Sequence, residues 1–266
     1  MNAKPRGAGA VAPAVRPMAG PWRKRVADAL PASWRRWISL RVRRAAAGGV
    51  DAAWASLRRV EPVSRQFGLE RGDPIDRYYI ERFLAEHAAD VRGRVLEVGD
   101  DAYTRRFGGD RVRASEVLHA VAGNPRATLV GDLARVEDLP EDRYDCIVCT
   151  QTLTHVFDLR SAVRGLRRML APGGVALITV PGISPISRYD MDRWGDYWRF
   201  TTLSLRRLLE DVFPATSLDV RSHGNVAAAV AFLHGLAAQD LSRAELEAQD
   251  PDFQLLVTAR ALRPAS

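Results

Sequence analysis

The chain has 266 residues, 47% hydrophobic and 27% charged, with a formal net charge of +7, which suits one substantial core plus an extension. Two cysteines exclude a disulfide scaffold, and with no apolar run of about 18 residues or more a membrane-spanning helix is not expected. Residues 1–60 hold 13 Lys and Arg against 2 Asp and Glu, so the positive charge belongs to an amino-terminal arm and the remainder is net acidic.

Within that arm, residues 1–20 are mostly Ala, Gly, Pro and Arg and read as disordered. Trp22, Val26 and Leu30, then Trp34, Trp37 and Ile38 among arginines, predict one or two short basic amphipathic helices. Such helices either pack on the main domain or lie on an anionic membrane surface through residues 1–44. Nucleic acid is not an expected partner, since no nucleic-acid module accompanies the charge. Without a continuous apolar leader the chain is placed in the cytoplasm, with peripheral contact at the inner face of the membrane as the arm's role. The predicted division is a basic arm over 1–60 and one catalytic domain over 61–266.

Ala45 to Gly49 reads as a linker and Val60 to Gly72 as a loop. Asp73-Pro74 then predicts a helix start, with Asp73 as cap, Asp76 in the first turn, and Ile75, Tyr78, Tyr79 and Phe83 on one face. Arg94 to Val98 is an apolar run broken by Glu97 and closed by Gly99, which predicts a buried parallel strand with a sharp turn at its carboxyl end, where ligands sit in open α/β sheets. A short second strand, Val112 to Ser115, is followed by Glu116, spaced to accept from the hydroxyls of a ribose. A third, Ala127 to Val130, runs into Asp132-Leu133, where the acid either meets a ligand or caps the next helix.

The fourth strand, Asp145 to Cys149, contains a Cys-x-x-Cys whose members point to opposite faces, so both are core residues and no metal is expected. It leads through Thr150 and Gln151 to His155. Asp158 opens a helix with an apolar face from Leu159 to Leu170, stopped at Pro172-Gly173-Gly174. A fifth strand spans Val175 to Val180. Ser187 to Thr201 has neither strand nor helix period but is crowded with aromatics, arginines and acids, as in the wall of a pocket. Thr201 or Thr202 caps a further helix, then come a sixth strand from Ser217, an Ala-rich helix from His223 and a seventh strand, Phe253 to Ala259.

From about Arg71 to Arg260 this order resembles the class I S-adenosylmethionine-dependent methyltransferases. The matching features are the acid and glycine of the first strand, the two later acids, and helix, Pro-Gly-Gly, apolar strand, Pro. The resemblance implies a Rossmann-like α/β fold with a seven-stranded, mostly parallel sheet and an antiparallel last strand. It also implies S-adenosylmethionine as cofactor, held by Glu97, Gly99, Asp100, Asp101, Glu116, Asp132, Leu133, Thr150, Gln151 and Tyr78. Gly99 is followed by Asp100, Asp101 and Ala102 where the family carries further glycines. His155 is either the base for a hydroxyl acceptor or a structural cap of its turn. Arg188, Tyr189, Trp194, Tyr197, Trp198 and Arg199 are the expected acceptor wall, and the tract resembles methyltransferases that accompany glycosyltransferases in bacterial surface-polysaccharide clusters. That resemblance implies O-methylation of a sugar or glycolipid hydroxyl. The rival readings are a non-catalytic scaffold and a nicotinamide dehydrogenase, which would need the glycines more.

Overall fold

A computed structural model of the chain describes residues 60–265. The predicted arm helices and the linker lie outside the described residues. Seven strands form one sheet in the order β3-β2-β1-β4-β5-β7-β6. Their ranges are β1 Gly93–Val98, β2 Val112–His119, β3 Leu129–Val130, β4 Tyr144–Thr150, β5 Leu170–Pro181, β6 Leu218–His223 and β7 Leu256–Leu262. β7 runs antiparallel to both neighbours and every other pairing is parallel, as expected from the sequence.

Register assigns the two faces. Val95, Cys146 and Val175 lie side by side across β1, β4 and β5, and all three belong to the core under α1 (Ile75–Glu86) and α5 (Val226–Leu233). The next row, Leu96, Ile147 and Ala176, enters the opposite core under α2 (Leu159–Met169) and α4 (Thr202–Glu210). Each fully buried Val, Leu or Ile side chain in these rows contributes about 1.5–3 kcal/mol. Cys146 and Cys149 are free and fall in different cores, so the Cys-x-x-Cys is an accident of strand alternation.

The helix starts follow local chemistry with one exception. Asp158 caps α2 by accepting from the Ser161 amide, and Thr201 with Ser204 makes a reciprocal cap on α4. At α1 the cap residue is Pro74, which offers no side-chain acceptor, and Asp73 instead pairs through Oδ2 with the Gln239 amide at 2.7 Å. Two short helices, α3 (Arg188–Met191) and α6 (Arg243–Glu247), are too brief to leave a period in the sequence. Among the described residues no helix is long and apolar enough to cross a membrane.

Candidate functional site

The carboxyl ends of β1, β2, β3 and β4 open onto a cleft of about 660 Å³ lined by Gly99, His119, Asp132, Leu133, Phe157 and Trp194, among others. A second cleft of about 560 Å³ lies toward α1, lined by Arg65, Asp76, Arg77, Ser184, Arg188, Tyr189 and Arg199, among others. Gln151, His155 and Asp190 line both, so the two form one valley across the strand ends. Both volumes suit small-molecule sites.

The turn after β1 is held by Glu97, which is 2% exposed and accepts from the Thr104 amide at 2.7 Å and the Tyr103 amide at 3.2 Å. Burial pushes its carboxyl up to about 7, against the pull of these hydrogen bonds. Gly99 has φ +94°, with nothing within 4 Å of where a Cβ would stand, so the glycine serves the backbone turn and leaves open space beside it. Asp100 accepts from the Ala102 amide at 2.9 Å and Asp101 pairs with Arg105 at 2.6 Å. Neither lines either cleft, and their carboxylates close the turn itself.

Glu116 requires a larger correction. β2 continues past it to His119, and Glu116 sits within the strand opposite Leu96. Its carboxylate accepts from Arg143 at 2.9 Å, from Tyr144 Oη at 2.9 Å and from Arg94 at 3.1 Å, and it lines neither cleft. A charge can occupy the interior of the strand because three donors meet it there. The residue that does reach the strand end is His119, whose Nδ1 lies 2.7 Å from the Val121 carbonyl. His155 is therefore one of two histidines at strand ends facing the cleft.

Asp132 is exposed in the cleft, and its Oδ1 also accepts from the Ala134 amide at 2.9 Å. Leu133 lines the same cleft and is mostly sunk in the core. Thr150 ends β4 beside Thr179, its carbonyl accepting from the Thr152 hydroxyl, and it lines neither cleft. Gln151 follows with φ +51°, fixed by its amide donating to the Thr179 carbonyl at 2.8 Å. Tyr78 points elsewhere: it receives a hydrogen bond from Arg82 at 3.2 Å and lies with Leu241, Leu246 and Glu247 near α6, while Asp76 and Arg77 face the valley in its place.

His155 stands on a single turn after β4, its Nδ1 2.6 Å from the Gly195 carbonyl. A ring nitrogen that close to a carbonyl carries the hydrogen and donates it, so in the neutral ring Nε2 keeps the lone pair. The expected acceptor wall divides. Arg188 and Tyr189 line the α1-side cleft. Trp194 meets His119 edge to face at 5.4 Å, and Tyr197 meets Phe157 at 5.3 Å, so both belong to the β1–β4 cleft. Trp198 lines neither: it donates from Nε1 to the Val156 carbonyl at 3.1 Å and packs behind Phe157. Arg199 reaches the cleft wall but commits its guanidinium to Asp196, the Pro185 carbonyl and the Ser184 carbonyl, which makes it the clamp of this loop. Asp196 is only 3% exposed; burial pushes its carboxyl up, but the bonds and charge of Arg199, with hydrogen bonds from the Ser187 amide and the Thr154 hydroxyl, together hold it below the usual range.

Sequence reading missed His119, Phe157 and Asp190 as site residues, and the wall built by Arg65 and its neighbours. Extending the second strand through the apolar pair Val117-Leu118 would have found His119. The loop wall left no periodic signal.

Among solved structures, the chain is similar to a SAM-dependent methyltransferase from Archaeoglobus fulgidus, at 11% identity over 70% of this chain and 94% of that one, with TM-score 0.46. It is similar to the N-methyltransferase NodS from Bradyrhizobium japonicum in complex with S-adenosyl-L-homocysteine, at 16% identity, 79% and 97% coverage and TM-score 0.45. Phosphoethanolamine N-methyltransferase 2 from Haemonchus contortus, solved with S-adenosyl-L-methionine, gives 14% identity, 65% and 49% coverage and TM-score 0.41. No curated protein matches the chain by sequence. A family model described as a methyltransferase domain matches residues 73–224, more than half of the chain and the whole span from α1 to the end of β6, and the chain belongs to that methyltransferase family.

Proposed function

We propose that the protein transfers a methyl group from S-adenosylmethionine to a hydroxyl of a sugar or glycolipid, in the synthesis of a surface polysaccharide. One observation carries this reading: two clefts join at Gln151, His155 and Asp190, with His155 held by Gly195 so that Nε2 is the basic nitrogen. The β1–β4 cleft fits an adenosyl group. Gly99 leaves open space beside the backbone, Asp132 offers an acceptor at the end of β3, Leu133 and Val156 are apolar, and His119 stands where a ribose would reach the end of β2. When bound, the cofactor supplies an electrophilic methyl group.

The chain's own part is positioning and proton removal. His155 Nε2 takes the proton of the acceptor hydroxyl, a contribution of about 10²–10⁴ in rate for a placed base. Arg65 and Arg188, with Tyr189 beside them, line the α1-side cleft and suit a phosphorylated or sugar-bearing acceptor. The basic arm over residues 1–44 would gather the enzyme at an anionic inner membrane face, where lipid-carried acceptors lie.

The test is transfer of labelled methyl from S-adenosylmethionine to a panel of methyl glycosides and lipid-linked glycans. His155→Gln should lower turnover by about a hundredfold or more with cofactor affinity retained. Methylation of amines alone would overturn the hydroxyl reading, and cofactor binding with no transfer to any acceptor would favour the rival reading of a non-catalytic interaction protein.

A further inference from the structure

His155 and the loop that walls the clefts are joined at more than one point. Three loop residues meet the Thr154-His155 pair: the Gly195 carbonyl stands 2.6 Å from His155 Nδ1, the Tyr197 amide donates to the Thr154 carbonyl at 2.9 Å, and the Trp198 carbonyl lies 2.6 Å from the Thr154 hydroxyl. The group that sets the ring's tautomer is thus a carbonyl 40 residues along the chain. A carbonyl only accepts, so it keeps the hydrogen on Nδ1 for as long as the loop holds its place. His119 has no such dependence, since its Nδ1 meets the Val121 carbonyl only two residues away.

One ion pair holds the loop. Asp196 shares a peptide unit with Gly195, and its carboxylate, 3% exposed, accepts from Arg199 Nη2 at 3.0 Å and from the Ser187 amide at 3.2 Å. Arg199 also donates to the Ser184 carbonyl at 3.3 Å and the Pro185 carbonyl at 2.8 Å. The pair therefore ties the start of the loop, 184–187, to its end, 195–199. Removing Arg199 leaves a buried carboxylate unpaired, and the loop relieves that cost by opening to water. Gly195 is constrained in its own way: its φ is +90°, and a Cβ there would run into the Tyr197 ring.

We propose that Gly195, Asp196 and Arg199 are positioning residues that set the tautomer and direction of the His155 ring through the Gly195 carbonyl. The Asp196–Arg199 pair fixes the peptide between Gly195 and Asp196, the carbonyl of that peptide keeps the hydrogen on Nδ1, and Nε2 is left as the basic nitrogen facing the valley. The loop that walls the acceptor side thereby also orients the ring, so the ring is in order only when the wall is. That the ring then acts as a base rests on the function proposed above, whereas the link from ion pair to ring stands apart from it.

NMR of the ring nitrogens in the full chain, at alkaline pH where both imidazoles are neutral, reads the tautomers, with His155→Gln and His119→Ala assigning the two signals. Wild type should carry the His155 hydrogen on Nδ1. Arg199→Gln and Asp196→Asn should move a large share of it to Nε2, Arg199→Lys should restore part of the difference, and His119 should stay as it is in all three. Gly195→Ala keeps both charges and should shift His155 as well. Should Arg199→Gln or Asp196→Asn fail to fold, Arg199→Lys and Gly195→Ala, read beside their melting temperatures, carry the same test. In turnover, variants with a shifted ring should lose about tenfold or more in kcat with cofactor affinity retained. A wild-type hydrogen on Nε2, or a His155 tautomer unmoved in the folded variants, overturns the positioning role and leaves the proposed function untouched. Equal shifts at His119 would mark a general loosening and overturn it too. A His155 tautomer that moves as expected in a protein that methylates no acceptor upholds the link and removes the function instead.

Discussion

The carboxyl end of β1 and the middle of β2 each hold one glutamate, and their surroundings set the two apart. Glu97 is almost fully buried, accepts from two backbone amides and has no cation at hand, so burial dominates and its carboxyl rises to about 7. Burial also works against the charge on Glu116, but hydrogen bonds from Arg143 and Tyr144, with Arg94 nearby, outweigh it and hold the carboxyl below the usual range. Glu97 shapes the turn that borders the β1–β4 cleft, whereas Glu116 ties β1, β2 and β4 together away from it. Identical side chains at ligand-like spacing can thus differ wholly in role, because donors within the chain decide which acceptor remains free.

The largest break in this comparison is Glu97→Ala. It strands the Tyr103 and Thr104 amides and should lower unfolding free energy by about 2–4 kcal/mol, read from denaturant midpoints. Loss of under about 1 kcal/mol would mean that the turn does not depend on the carboxylate. A graded effect arises from its raised pKa. The native state holds the proton more tightly than the unfolded chain, so this group's contribution is complete below about 4.5 and is lost as pH rises through about 7. Wild type should therefore lose stability relative to Glu97→Gln across that window, by about 3 kcal/mol at pH 8. A difference that does not change with pH would contradict the dominance of burial.

Glu116→Ala should cost less, about 1 kcal/mol, since Arg143 and Arg94 are each more than a third exposed and their pairing is screened. Its affinity for S-adenosylhomocysteine should stay within about twofold of wild type, as no cofactor contact is assigned to it. Smallest of all, Tyr78→Phe should change neither stability beyond about 0.5 kcal/mol nor cofactor affinity, its hydroxyl meeting only an exposed arginine. A clear loss of affinity there would restore the expected contact.

Much of the fold was legible because apolar runs and stop signals dominate it. Val95, Leu96, Ile147 and Val148 announce buried strands, and Asp158 marks the start of α2 from sequence alone, whereas the helix ends at Met169, before Pro172-Gly173-Gly174, which the structure places within β5. The end of β2 was misjudged because a glutamate inside a strand reads as its limit until Arg143 and Tyr144, far along the chain, are seen to meet it. Gly99, Asp132, Leu133, Gln151 and His155 were legible as residues at strand ends, and the structure brings them to one valley. The aromatic tract was legible as a wall but not by side: whether Trp194 faces His119 and Trp198 turns behind Phe157 depends on the Arg199–Asp196 clamp, which has no period to read.

The central claim is that the valley holds S-adenosylmethionine, with His119 and not Glu116 at the ribose. Calorimetry of wild type, His119→Ala and Glu116→Ala with S-adenosylhomocysteine, beside NAD, tests it most directly. Wild type should bind S-adenosylhomocysteine and not NAD, with an affinity about fivefold or more weaker in His119→Ala and unchanged in Glu116→Ala. NAD binding, or an affinity lost in Glu116→Ala and kept in His119→Ala, would contradict it.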